Sequence, residues 1–316
     1  MTAASQPAIL APDETGIARA AELLRAGKLV AVPTETVYGL AARADSEAAV
    51  AAIYRAKGRP DFNPLIVHVA GLAAAERIAA LDERAELLAE RYWPGALTLV
   101  LPVRPQAGLA SAVTAGLPTV ALRCPAHPVM RRVLEASGLP LAAPSANRSG
   151  AVSPTRPEHV AASLGDAVDA IVDGGACELG LESTIVALRP GGGWALLRPG
   201  PVSAVEIAAL LGPQEQAGRD AERVEAPGQL ASHYSPGKPV RLDAEVAQAH
   251  EFHIGFGLIE GDVNLSPGGD LAEAAARLYA VLHEATASPK PSVAVAPIPQ
   301  QGLGEAIRDR LTRAAA

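Results

Sequence analysis

Leu29-Val30-Ala31-Val32-Pro33-Thr34-Glu35-Thr36-Val37-Tyr38-Gly39-Leu40, residues 29–40, sets the reading of the chain. Four apolar residues in a row are enough for a short buried strand, and Pro33, which has no N–H to give a ladder, ends it. Two hydroxyls, a carboxylate and a flexible glycine then follow at the strand end. Behind this stretch, residues 14–26 carry apolar side chains at helical spacing (Ile17, Ala20, Ala21, Leu24) and stop at Gly27. Ahead of it, Ser46 is placed to cap a helix over 47–57. Strand, polar loop and helix in succession are the unit of an α/β sheet.

The pattern continues outward. Strands are predicted at 65–69, 97–103, 119–123, 141–143, 170–173, 183–188 and 194–198, with helices at 72–80, 83–91, 127–137, 157–164 and 203–211. The links are short, and the intervening Pro and Gly favour a mixed sheet over an all-parallel one. Residues 212–239 then lose all apolar periodicity and are rich in Gly, Pro and charge, which reads as a linker. Unstructured connections of such length tend to be functional. Residues 240–316 restart an α/β pattern, with strands at 239–242, 252–258 and 292–296 and helices at 270–287 and 304–314. The expected organisation is therefore a unit over 1–211, a linker over 212–239 and a smaller unit over 240–316.

Composition narrows the class. The chain has 316 residues, 49% apolar and 19% charged, enough for two cores and too apolar for disorder. Two Trp, five Tyr and three Phe leave little for stacking bases. Residues 1–210 hold 18 Lys and Arg against 20 Asp and Glu, and the remainder hold 9 against 14, so neither part has the basic excess of a duplex binder. Cys124 and Cys177 form no C-x-x-C motif or disulfide framework, which fits a reducing compartment. The N-terminal stretch reads as no signal peptide, and no run of about 18 apolar residues predicts a membrane span. The expected location is the cytoplasm.

Familiar nucleotide and metal signatures are missing: no G-x-x-x-x-G-K-[ST], no H-E-x-x-H, no paired Cys/His spacing. Gly255-Phe256-Gly257 opens like a dinucleotide fingerprint, but its third glycine, Gly261, comes one residue late, and a strand-end turn is the better reading. Polar residues gather instead at predicted strand ends: 33–40, Lys57-Gly58-Arg59, the strand bearing His68, Ser145-Ala146-Asn147, Ser153, Glu182-Ser183-Thr184 and Arg198. Each has a structural alternative. Lys57 and Arg59 can complement a helix C-terminus, His68 can be a satisfied core histidine, Ser145 and Ser153 can be turn residues, and Arg123 can be half of an ion pair. Together, four cations among hydroxyl- and amide-bearing loops, with no nucleophile–base pair, suit phosphate and carboxylate binding. A nucleotidyl transfer needs little more than in-line positioning and neutralised charge.

Six stretches carry a resemblance: PTETVYGLA (33–41), KGRP…NPLIVHV (57–69), WPGALTLVL (93–101), VALRCPAHP (120–128), APSANRSG…SPT (143–155) and LESTIV (181–186). In this order and spacing they resemble the YrdC/Sua5 family over about residues 15–205. HYSPGKP (233–239), NLSPGGDLAEAAARLY (264–279) and GLGEAIRDRL (302–311) resemble the extra domain of its long Sua5 type. The resemblance implies a YrdC-like twisted mixed sheet with covering helices, plus a smaller Rossmann-like α/β domain. It implies a nucleotidyltransferase that joins L-threonine, bicarbonate and ATP, carried with Mg²⁺, into threonylcarbamoyl-adenylate. The adenylate would pass to the threonylcarbamoyl-transfer machinery that makes t6A in tRNA, with no membrane and no tight nucleic-acid binding by this chain.

The residue roles implied are equally specific. Lys57, Arg59, Asn63, Thr119, Ser145, Asn147, Ser153, Arg198 and Tyr234 would contact ATP or its phosphates. Thr36, His68, Arg123 and Ser183 would line a threonine pocket, with Arg123 facing the carboxylate, and the linker tyrosine would close over the site. The chain departs from the family pattern at 226–232, where Gln229 stands for a frequent Met and Ser232 for a basic residue, and at Arg308, which stands for Asn. A linker contact to phosphate is therefore expected to be missing. A non-enzymatic RNA-binding or ribosome-assembly protein on the same fold is the main rival, disfavoured by the charge balance. A carbamoyl-transfer enzyme would bring zinc-finger or acylphosphatase modules, for which no Cys pattern exists.

Overall fold

The computed structural model describes residues 7–215, 224–229 and 232–316. Residues 1–6 of the N-terminal stretch, and 216–223 and 230–231 of the expected linker, lie outside the described residues. The chain runs β1 (Ala8–Leu10), α1 (Glu14–Arg25), β2 (Val30–Val32), β3 (Gly39–Arg43), α2 (Glu47–Lys57), β4 (Ile66–His68), α3 (Leu72–Glu76), α4 (Glu83–Tyr92), β5 (Leu97–Pro102) and α5 (Ser111–Thr114). It continues through β6 (Thr119–Arg123), α6 (Pro128–Ser137), β7 (Leu141–Ala142), α7 (Pro157–Leu164), β8 (Ala170–Val172), β9 (Thr184–Leu188), β10 (Trp194–Arg198) and α8 (Ala204–Leu211). The last part holds β11 (Val240–Arg241), β12 (Glu251–Gly255), β13 (Val263–Asn264), α9 (Leu271–Ala287), β14 (Ser292–Val295) and α10 (Leu303–Ala315).

The first ten strands form one sheet in the order β1-β8-β2-β3-β7-β4-β6-β5-β9-β10. It is mixed, as the Pro and Gly content predicted: β4 runs parallel to β6 and β5 to β9, while β7 is antiparallel to both of its neighbours. The last four strands form a separate, all-parallel sheet in the order β11-β14-β12-β13.

Strand alternation sorts the large sheet's side chains. Val30 and Val32 join Ile17, Leu24, Val133 and Leu134 under α1 and α6. Ala31, Leu65 and Val67 join Ile53, Leu88, Leu99 and Leu122 in the main core. A smaller cluster of Ile66, Val100, Ala121, Ile185 and Ala187 is covered by Ala226 of the linker. The C-terminal core of Ile254, Leu278, Leu282, Val293 and Ile307 also takes in Val37, Val152, Leu181 and Tyr234. The two sheets thus share an apolar boundary.

Helix ends follow local chemistry. The Ser46 hydroxyl accepts from the Ala49 N–H, Gly58 closes α2, and Ser203 and Glu206 make a capping box on α8. Two expected elements end early. The helix expected over 72–80 stops at Glu76, because Ala79 pairs with Val103. The strand expected over 252–258 stops at Gly255, where Phe256 and Ile259 pair across a turn, so the Gly255-Phe256-Gly257 motif is a strand-end turn. Strands β1, β3 and β13 and helix α5 were not anticipated. β3, with the sequence Gly-Leu-Ala-Ala-Arg, has no β-branched residue and forms through pairing with β2 and β7.

Candidate active site

The site grows from strand ends at the middle of the large sheet. After β2, the Thr34 hydroxyl accepts from the Thr36 and Val37 N–H groups, both at 3.2 Å, and this turn carries Glu35 and Thr36. His68 and Arg123 end β4 and β6 as register neighbours. Arg123 donates through Nη1 to Thr36 Oγ1 (2.9 Å), through Nη2 to Glu35 Oε1 (2.6 Å) and through Nε to the Gly95 carbonyl (3.2 Å). Two of its five N–H donors are left for a ligand. Burial pushes the Glu35 carboxyl up, but the Arg123 charge and the Ala126 N–H outweigh it and hold the carboxyl below its usual range.

A second group lies beyond α2. Arg59 donates to the Asn63 carbonyl (3.1 Å), Asn63 Oδ1 (2.6 Å) and the Pro64 carbonyl (2.8 Å). Arg198 donates to the Ser183 carbonyl (3.1 Å) and hydroxyl (3.2 Å). Neither hydrogen-bonds a carboxylate among the described residues, yet both are buried. Burial lowers the Arg59 pKa to about 10, with the Arg198 charge adding to it. Lys57 Nζ donates to the Ser145 carbonyl (2.6 Å) and the Asn147 carbonyl (2.5 Å), and burial with the Arg59 charge pushes its pKa well down. Buried cations that hydrogen-bond no carboxylate are costly, and an anionic ligand reduces that cost.

The two groups line one cavity of about 50 Å³. Its remaining wall is the linker strap, through Pro227, Gly228, His233 and Tyr234. Gly228 has φ +88°, and a Cβ there would lie 2.9 Å from Arg198 Cδ. The Gln229 carboxamide folds back to accept from the Glu225 and Ala226 N–H groups, at 2.7 and 3.0 Å. The described strap residues at the cavity include no Lys or Arg. His68 Nδ1, His233 Nδ1 and the Tyr234 hydroxyl are buried there without a protein partner. His68 is thus not a satisfied core histidine.

Burial, aided by the Arg123 charge, lowers the His68 pKa to about 3. Burial lowers His233 to about 3 and His159 to about 4, the latter with help from His283, stacked on it at 3.8 Å. The folded chain then binds fewer protons than the unfolded one between about pH 4 and 6.5, so stability rises with pH across that window. Unfolding free energy is expected to be level from pH 8 to 7 and to fall below pH 6.5, with a limiting slope of about 4 kcal/mol per pH unit for three histidines. Urea titrations at pH 7.5, 6 and 5 measure this, and equal values at all three would refute it.

Of the residues singled out in the sequence, Thr36, Arg59, His68, Arg123, Ser145, Arg198 and Tyr234 line the cavity. Lys57, Asn63, Asn147, Ser153 and Ser183 stand behind it: Lys57 braces the 145–147 loop, Asn63 holds Arg59, and Ser183 holds Arg198. Asn147 donates to the Arg148 and Ala151 carbonyls, and Ser153 to Glu182 Oε1. Thr119 begins β6 whereas Arg123 ends it, about 13 Å away, so it does not join this cavity. Arg123 is also half of an ion pair, with Glu35. Arg308 pairs with Asp243 inside the C-terminal part. Glu35, Glu182, His233 and Arg310 were not assigned roles from the sequence. The signal for Arg310 was a charged residue on the apolar stripe Ile307, Leu311, Ala314 of α10.

A family model covering Sua5, YciO and YrdC, described as "Telomere recombination", matches residues 22–200. The chain belongs to the Sua5–YciO–YrdC family. A second model, the C-terminal domain of threonylcarbamoyl-AMP synthase, matches residues 202–316. Among members of the family, the threonylcarbamoyl-AMP synthase of Bacillus subtilis is 40% identical over 97% of this chain and 94% of its own. The crystal structure of Pyrococcus abyssi Sua5 complexed with L-threonine superposes with a TM-score of 0.89 at 36% identity, covering 98% of both chains. A putative threonylcarbamoyl-AMP synthase of Mycobacterium tuberculosis is 41% identical over 62% of this chain and 89% of its own. Both the large mixed sheet and the small parallel one thus have counterparts in a solved Sua5 structure. No helix among the described residues is long and apolar enough to cross a membrane.

Proposed function

We propose that this chain is a threonylcarbamoyl-AMP synthase, a nucleotidyltransferase that joins L-threonine, bicarbonate and ATP and releases pyrophosphate. The observation that carries the reading is one cavity shared by two buried arginines without carboxylate partners, Arg59 and Arg198, and by the Thr36–His68–Arg123 group. The near full-length likeness to synthases supports it. Threonine's carboxylate takes the two open N–H donors of Arg123, and the unpartnered His68 Nδ1 faces the same substrate.

The chemistry needs no protein nucleophile. Bicarbonate takes up a proton and loses water to give CO2, the neutral threonine amine adds to its carbon, and the nitrogen gives up a proton that balances the one consumed, leaving a carbamate. A carbamate oxygen attacks the α-phosphorus as the bond to pyrophosphate breaks. Arg59 and Arg198 neutralise the charge that collects on the phosphates. The described residues offer no cluster of three His, Cys, Asp or Glu for a metal, and Glu35 and Glu182 are engaged by arginines. In this reading Mg²⁺ would arrive on the phosphate oxygens of ATP.

The cavity of about 50 Å³ is far below the roughly 300–1,000 Å³ of a small-molecule site. In this reading the described strap residues at the cavity, Pro227, Gly228, His233 and Tyr234, lift for ATP to enter, and their return would shield carbamate and adenylate from water. We read 1–211 as the catalytic unit and 240–316 as the unit that anchors the strap. The adenylate would pass to a threonylcarbamoyl-transfer step on tRNA, with the nucleic acid left to that partner. Pyrophosphate release from ATP, with threonine and bicarbonate omitted in turn, tests the reading. All three are expected to be required, and release unaffected by omitting threonine would sink it.

A further inference from the structure

Glu182 lies at the cavity wall with only 6% of its surface exposed. Its Oε1 accepts from the Ser153 hydroxyl at 2.6 Å. Its Oε2 accepts from the Tyr279 hydroxyl at 2.8 Å and from Arg310 Nε at 2.9 Å. Tyr279 is on α9 and Arg310 on α10, so both donors come from the C-terminal unit. Arg310 is fully buried, and its Nη2 donates to the Pro199 carbonyl at 2.9 Å, next to Arg198. Its guanidinium also lies 5.4 Å from the centre of the Tyr234 ring, which stacks on Tyr279 at 5.5 Å. Two side chains of the C-terminal unit therefore touch the cavity wall, the strap tyrosine and the carbonyl beside a phosphate-facing arginine.

We propose that Arg310, assisted by Tyr279, is a positioning residue of the active site, holding the Glu182 carboxylate and the Tyr234 ring in working geometry. The inference rests on the synthase reading. The C-terminal unit then completes the site as well as anchoring the strap. Burial opposes charge on Glu182, and the charges of Arg310 and Arg198 with the Ser153 hydroxyl overcome it and bring its pKa to about 2. The Glu182 charge in turn helps to keep the buried Arg198 cationic. The other titratable groups facing Glu182 are Tyr234, Tyr279 and His233, and Asp309 is bonded to the far side of Arg310. Without Arg310, Glu182 has lost its nearest counter-charge, and burial then pushes its carboxyl up.

Full-length Arg310→Met, Arg310→Lys, Tyr279→Phe and the double variant Arg310→Met with Glu182→Gln test this. The readouts are threonine-dependent pyrophosphate release and, separately, ATP affinity by calorimetry, each from pH 6 to 9. Arg310→Met is expected to lose at least tenfold in kcat at pH 7 and to regain activity and ATP affinity as pH rises. That limb is absent from the double variant, and Arg310→Lys, which keeps the charge, has a level profile within about threefold of wild type. Wild-type kcat in Arg310→Met, or an equal loss at every pH in both readouts, overturns the proposal. If Arg310→Met does not fold, Tyr279→Phe decides: a kcat loss of threefold or more at unchanged melting temperature supports the proposal, and wild-type kcat overturns it. A wild-type protein that binds ATP but releases no pyrophosphate with threonine refutes the synthase reading instead, and the pH dependence of ATP affinity still judges Arg310.

Discussion

Arg59→Ala is expected to lower kcat for pyrophosphate release by about 30- to 1,000-fold at saturating ATP, the equivalent of roughly 2–4 kcal/mol of transition-state stabilisation. Arg59 is held by three bonds to the 63–64 backbone and the Asn63 amide. It is therefore oriented before ATP arrives, and none of its attraction is spent on a carboxylate. Charge on the departing pyrophosphate grows along the reaction, so a fixed cation acts more on kcat than on ATP affinity. Asn63→Ala removes one brace and leaves the guanidinium in place, so a loss of tenfold or less is expected. Turnover within threefold of wild type in Arg59→Ala, measured at saturating ATP, would assign the phosphate role elsewhere.

Arg123→Met is expected to raise the KM for threonine at least 100-fold and to destabilise the fold by about 3–5 kcal/mol, since it leaves Glu35 buried without its partner. The two effects separate in a second variant. Adding Glu35→Gln removes the stranded charge while keeping an acceptor for the Ala126 and His127 N–H groups, at 3.1 and 3.3 Å from Glu35 Oε2. The double variant should recover most of the stability and none of the threonine affinity. Urea unfolding and threonine saturation curves on both proteins check this. Threonine affinity that returned with stability would show that Arg123 acts on the substrate only through the fold.

Legibility in the sequence followed how local each cause was. The bounds of α2 could be read because Ser46 and Gly58 act within one turn of their own helix. β3 could not, because its strand state is imposed by β2 and β7 on residues of low strand preference. Arg59, Arg123 and Arg198 were legible as cations at strand or helix ends, where a sheet gathers them. Whether a polar residue faces the cavity or braces one that does was not legible: Ser145 and Asn147 are two residues apart, yet only Ser145 reaches the wall. The Glu182–Arg310 pair joins residues 128 positions apart, and no periodicity along the chain links them.

That separation acquires a meaning during synthesis. At about 5–20 residues per second, a ribosome needs roughly 6–25 s to pass from codon 182 to codon 310. Through that interval the large sheet can form, since its last strand ends at Arg198, while the carboxylate beside it has yet to meet its arginine. On the proposed role of Arg310, a nascent chain whose sheet formed in that interval would be catalytically unfinished for a set time. Chains that stall there carry an assembled sheet that should spend little ATP.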